Sequence, residues 1–208
     1  MEMVSLIISV SIIHLFAVIS PGPDFIMCCR NSLTYSRKTG IWTAVGFGMG
    51  TSVHIFYSIA GLALIISKSI LLFNTIKYLG AAYLIYIGLK SILSKSSKID
   101  LGEQYKKADI SHFAAIRIGF LTNVLNPKVS LFFLSLFTLV ISPKTPMLIM
   151  GIMTIIMVAT TILWFSLVSI LLTQEKIRSF FERFQGVINK TSGGLLIAFG
   201  IKIALIEK

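Results

Sequence analysis

The sequence predicts an all-α integral membrane protein: six transmembrane helices as a 3+3 inverted repeat, with helices broken near Pro21–Pro23 and near Pro127. Three observations predict it. First, 55% of the 208 residues are apolar and only 13% are charged, against about 25% charged in soluble domains, and the mean hydropathy is +0.89. A soluble fold of this length keeps too large a surface fraction to hide so much apolar area. Second, the apolar residues fall into six long runs. Third, the two halves of the chain echo each other. The length suits one domain over residues 1–208.

The runs cover residues 4–20, 41–66, 71–93, 113–142, 147–173 and 186–206. Each approaches or exceeds the ~20 residues that a helix needs to cross hydrocarbon, and their continuity argues against the short alternating segments of a membrane barrel. The first follows Met1-Glu2-Met3, with neither a basic cluster before it nor a small-residue cleavage site after it, so it is expected to be a retained span rather than a signal peptide. It ends in Ser20-Pro21-Gly22-Pro23-Asp24, and a second apolar stretch, residues 25–29, follows at once. Cys28 and Cys29 are adjacent, a poor geometry for a bridge, and are expected to be plain helix residues. The second run holds Gly46, Gly48 and Gly50 in "GFGMG", which lacks the Lys-Ser/Thr and βαβ setting of a phosphate loop and suits close helix contact. The mixed-charge segment 94–112 separates repeat one (1–93) from repeat two (113–208) and reads as a flexible cytoplasmic connector. The fourth run contains Asn126-Pro127-Lys128, a second helix-breaking site.

Basic residues orient the spans. Thirteen of 19 lysines and arginines fall in or beside the odd-numbered connections, predicting that these face the cytoplasm of a multi-pass inner-membrane protein and that both termini lie outside. Topology thus accounts for the net charge of +11. No nucleic-acid motif competes with it, and anionic lipid at the cytoplasmic face adds a weaker contribution.

The echo is clearest between "KYLGAAYLIYIGLK" (77–90) and "KTSGGLLIAFGIK" (190–202), each in the last span of its half, and between the two proline sites. Chance recurrence of glycine in small-residue packing faces is the competing explanation. Three spans per half is an odd number, so sequential repeats enter the membrane from opposite sides, the plan in which broken helices at matching positions build a transporter's substrate site. Pro21 and Pro23 lack amide hydrogens and free carbonyls in the preceding turn; Gly22 permits the tight turn. Asp24 then begins a new helix, where the dipole favours negative charge. At this level two readings of Asp24 stand side by side: a membrane-embedded carboxylate, or the surface cap of an ordinary loop.

"SPGPDFIMCCRNSLTYSRKTGIWTAVGFGMGTSVHIFYSIAGL" and "GFLTNVLNPKVSLFFLSLF" resemble the lysine exporter family of amino-acid efflux proteins, nearest its homoserine/threonine branch, and the resemblance runs over nearly the whole chain. It implies a six-helix inner-membrane exporter of amino acids or close relatives, driven by the proton gradient and assembled as a homodimer. The chain departs from the family pattern at Val129-Ser130, Thr138-Leu139 and Cys28-Cys29, none of which touches the breaks.

A zwitterionic substrate needs both charges met in a low-dielectric site. Asp24 is the candidate for the ammonium and Lys128 for the carboxylate; the alternatives are that they pair with each other and lock the repeats, or that such a pair opens for substrate. Asp24 is also the first candidate for proton coupling, and His54 the second, set against a structural histidine bonded between helices. Asn123 and Asn126 either bind substrate or cap freed backbone groups. Arg30 and Asn31 suit the cytoplasmic entrance or an interfacial anchor; His14 and His112 receive no role. No His, Cys or carboxylate spacing suggests a metal, and no cofactor is expected. Export of a cation or another metabolite on the same scaffold is the runner-up function; a membrane-embedded enzyme would need a catalytic partner for Asp24 that only His54 offers.

Overall fold

The computed structural model describes residues 2–68, 70–94, 108–140 and 145–205, and among them eight helices and no strand. The helices are α1 (Glu2–Ile19), α2 (Pro23–Thr34), α3 (Arg37–Lys68), α4 (Ile70–Leu93), α5 (His112–Val124), α6 (Pro127–Val140), α7 (Met147–Leu171) and α8 (Glu175–Leu205). Most of the expected connector, residues 95–107, lies outside the described residues.

Both expected breaks are present. Proline cannot donate the amide that continues a helix, so α1 stops two residues before Pro21, and Pro23 opens α2 at a first-turn position that tolerates it. The bend between them is 57°. Likewise α5 stops before Pro127, and α6 leaves at 59°. Among the described residues, stretches of α4, α7 and α8 (Asn74–Leu93, Met147–Leu171 and Gly186–Leu205) are each long and apolar enough to cross a membrane; counting each bent pair as one span raises the number to five. The longest helix, α3, has 32 residues, or about 48 Å at 1.5 Å per residue.

Lipid-facing surfaces are legible as stripes. Val4, Ile8, Ile12 and Leu15 of α1 are exposed at helical spacing, while Val10, Ile13, His14 and Ala17 on the other face are buried. Inside, Phe133, Leu136 and Phe137 of α6 pack with Ile55, Leu84, Met153, Met157 and Leu196. A second cluster joins Phe25, Cys28 and Cys29 to Phe47 and Phe165, across α2, α3 and α7. Both cysteines are free and buried, and the Cys28 thiol lies 3.3 Å from the Phe165 carbonyl.

Glycines set the closest crossings, because in lipid the approach of backbones replaces the hydrophobic drive between helices. A Cβ on Gly88 would lie 2.6 Å from the Gly193 carbonyl, and one on Gly193 2.5 Å from the Gly88 carbonyl; Gly200 faces Ala81 in the same way. The order of these contacts makes α4 and α8 antiparallel. These are the two glycine-bearing segments that echo each other in sequence. Gly46 and Gly119 meet at the α3–α5 crossing and Gly50 meets Asn123, so those helices run parallel. Gly40 against Ser169 and Gly48 against Ile162 make α3 and α7 antiparallel. All three "GFGMG" glycines are thus contact points between helices.

Gly193→Ala places a methyl against a backbone carbonyl that cannot rotate away. It is expected to cost about 1–3 kcal/mol and to lower the melting temperature of the detergent-purified protein, whereas Gly151→Ala, with open space at its Cβ position, leaves the melt unchanged.

Candidate functional site

The two breaks meet, and each is completed by residues of distant segments. Pro21 removes the amide that would bond the carbonyl of Ala17. The Lys128 ammonium takes its place, 3.3 Å from the Ala17 oxygen and 2.7 Å from the Ser20 oxygen. A cation at the carboxyl end of α1 also opposes the helix dipole. Pro127 likewise removes the amide that would bond the carbonyl of Asn123. Here the Asn126 amide at 2.9 Å and His54 Nε2 at 2.9 Å share the oxygen. A carbonyl only accepts, so Nε2 carries the proton. Nδ1 is then an acceptor, and the Tyr57 hydroxyl donates to it at 2.7 Å.

Asp24 sits in the first turn of α2, where the helix dipole favours its charge. It is buried. Its two oxygens accept from Asn123 Nδ2 at 2.6 Å and Asn126 Nδ2 at 3.0 Å. Asn126 works at both ends, because its Oδ1 accepts from the Lys128 amide at 3.0 Å and so caps α6. The corresponding cap of α2 is Gly22. A Cβ there would lie 3.4 Å from both Cδ and Nζ of Lys128, so any side chain longer than a methyl would obstruct the lysine's path to α1. Pro23 and Pro127, and likewise Asp24 and Lys128, stand 104 residues apart.

Asp24, Lys128, Asn123 and Asn126 are therefore brought together with Pro21, Gly22, Pro23 and Pro127, and His54 joins them through Asn123. Asp24 and Lys128 each find hydrogen bonds elsewhere rather than with each other. Both asparagines complete local structure, Asn126 as a helix cap and both as donors to the carboxylate. Asn31 is buried and donates to Thr43, fastening α2 to α3, and His112 stacks on Trp42 at 4.9 Å. Among the described residues, no three of His, Cys, Asp and Glu gather into a metal-binding group.

Two cavities flank the breaks. The inner one, of about 40 Å³, is bordered by Asp24, Lys128, Asn123, His14, Thr51 and Thr161, with Phe132 and Phe133 as its apolar wall. The outer one, of about 420 Å³, lies between the two breaks and α4, past Tyr83, Tyr86 and Lys90, with Asn189 of α8 on its wall. Ser20, Gly22, Asn126 and Lys128 belong to both walls. His14 is the residue that sequence reasoning passed over. It is buried, 3.5 Å from Thr161 Oγ1, and its Nδ1 has no partner. The Thr161 hydroxyl donates to the Met157 carbonyl, so it accepts from His14 Nε2, and Nδ1 is left as a bare acceptor. Its register in α1, opposite the outward stripe of Val4, Ile8, Ile12 and Leu15, is the signal by which it was detectable.

Apolar helices around a pair of broken ones, with opposite charges held at the crossing beside paired cavities, define a membrane-embedded carrier. Residues 15–206 match the family described as "LysE type translocator", and the chain belongs to that family of transporters. Among its relatives, the uncharacterized membrane protein YrhP of Bacillus subtilis is 35% identical over 195 residues, covering 90% of this chain and 93% of its own. The threonine efflux proteins of Salmonella typhi and Escherichia coli K12 are 28% and 26% identical over 204 residues, each alignment covering 98% of this chain and 99% of the relative. No solved structure matches the chain.

His54→Phe removes one of the two donors to the proline-freed Asn123 carbonyl and strands the Tyr57 hydroxyl that donates to its ring. It is expected to destabilise the purified protein by about 1–3 kcal/mol, read as a lower melting temperature, and His54→Gln, which retains an N–H, is expected to recover part of the loss.

Proposed function

We propose that this chain is a secondary-active exporter of small amino acids or their derivatives, taking the zwitterion between Asp24 and Lys128. The observation that carries the reading is the matched pair itself. Opposite charges occupy equivalent positions after Pro23 and Pro127 and border one cavity. Removing an amino acid's two charges from water is prohibitive unless both are met. Asp24 accepts the ammonium, and Lys128 turns from the α1 carbonyls to the carboxylate. The threonine efflux relatives, aligned end to end, support amino-acid cargo.

The inner cavity has room for a few water molecules but not for an amino acid, so transport requires the breaks to move apart. The architecture we propose for this is six passes in a 3+3 inverted repeat: α1–α2, α3 and α4, then α5–α6, α7 and α8. The antiparallel packing of α3 on α7 and of α4 on α8 supports it, since these are the equivalent helices of the two halves. In this reading the odd-numbered connections face the cytoplasm, both termini lie outside the inner membrane, and the chain works as a homodimer by alternating access. Asp24 couples transport to the proton gradient. His54 serves the backbone, since both its nitrogens are engaged.

Cells or proteoliposomes loaded singly with labelled amino acids, with and without an imposed pH gradient, test the proposal. Wild-type protein is expected to release at least one of them, faster with the gradient. Asp24→Asn, inserted normally in the membrane, is expected to lower efflux by tenfold or more, a rise of about 1.4 kcal/mol or greater in the barrier to transport. Undiminished efflux by this variant rules out the carboxylate's role. His14→Leu, which replaces the unpartnered acceptor in the inner cavity with an apolar group, is expected to reduce efflux severalfold without changing the melt.

A further inference from the structure

We infer that the outer cavity, between the breaks and α4, is a second amino-acid site, through which substrate passes on its way to the breaks; this rests on the exporter reading above. At about 420 Å³ it is some ten times the volume of the inner cavity and falls in the ~300–1,000 Å³ range of small-molecule sites. In this conformation it is the one of the two that admits a free amino acid.

Its chemistry is that of a zwitterion receptor. Asn189 is buried and its Oδ1 has no partner. The network fixes the direction of this amide. Ser94 Oγ donates its hydrogen to the Ser91 carbonyl at 2.9 Å, so it accepts from Asn189 Nδ2 at 2.7 Å, and Oδ1 is an acceptor with nothing to accept. The same cavity is lined by Tyr83 and Tyr86, ring centroids 6.2 Å apart, and aromatic faces attract a cation. Lys90, one turn after Tyr86, supplies positive charge at the mouth, and Lys128 supplies it at the inner wall. The ammonium goes to the tyrosines and to Asn189 Oδ1, which is covered in this conformation and turns outward to receive it, and the carboxylate goes to a lysine. A phosphate-bearing lipid headgroup would satisfy the lysines but meet the unpartnered carbonyl with its own negative oxygens. Lys128 borders both cavities, so it can hold the carboxylate while the ammonium moves from Asn189 to Asp24.

The test is equilibrium binding of labelled L-threonine to the full-length purified protein. Asp24→Asn is expected to retain a binding class about tenfold weaker than wild type, and adding Asn189→Leu or the exposed-site change Tyr86→Ala is expected to weaken that class at least fivefold more. Melting temperatures equal to that of Asp24→Asn show that the losses are not unfolding. Complete loss of binding in Asp24→Asn, no further effect of either second change, or displacement of threonine by phosphatidylglycerol would each overturn the second site while leaving the exporter reading intact. Wild-type protein that binds none of the labelled amino acids, tried singly in the same assay, overturns both.

Discussion

Everything at the centre of this molecule depends on one constraint: a carbonyl freed by proline within a membrane-spanning fold finds no hydrogen-bond partner in hydrocarbon. Pro21 and Pro127 each leave such a carbonyl, on Ala17 and Asn123, and each is met by a side chain from a distant segment, Lys128 or His54. The repair introduces charge. A buried ammonium needs compensation nearby, and Asp24 supplies a negative group that is itself held by Asn123 and Asn126. Breaks, charges and amides form one network, so the features that complete the backbone are the same ones that make the centre polar.

The frame around that network is built on a different principle. Gly88 on Gly193 and Gly46 on Gly119 bring backbones into contact, and an added Cβ at either crossing strikes main chain. Such contacts leave little room for adjustment. The broken pairs, by contrast, are joined by two or three residues where Pro21 and Pro127 interrupt the helical bonding, and the two pairs are tied to each other through side chains. Local opening costs least where backbone bonds are fewest, and that is at the breaks rather than at the glycine-packed crossings.

Placing the cavities on either side of the breaks gives Lys128 its importance. Its chain passes Gly22 and its ammonium reaches two α1 carbonyls, yet it borders both cavities. A lysine is suited to this. Its point charge and four-carbon stem let it exchange partners without the fixed fork of an arginine.

The sequence by itself determined the membrane setting, the helical class, the positions of both breaks and the residues at them: Pro21, Gly22, Pro23, Asp24, Asn123, Asn126, Pro127 and Lys128. These are local properties. Hydropathy follows from composition, and proline breaks a helix through its own ring and missing amide, whatever surrounds it. Only the tertiary structure decided which group answers each freed carbonyl, because the partners lie 69 to 111 residues away. It likewise decided that Asp24 bonds asparagines rather than Lys128, that His14 turns inward, and that Asn189 is left with an unmatched oxygen. A polar residue in an apolar run has the same hydropathy whichever way it faces. Its role depends on the rotation of its helix against neighbours, and that is settled by packing across the whole fold.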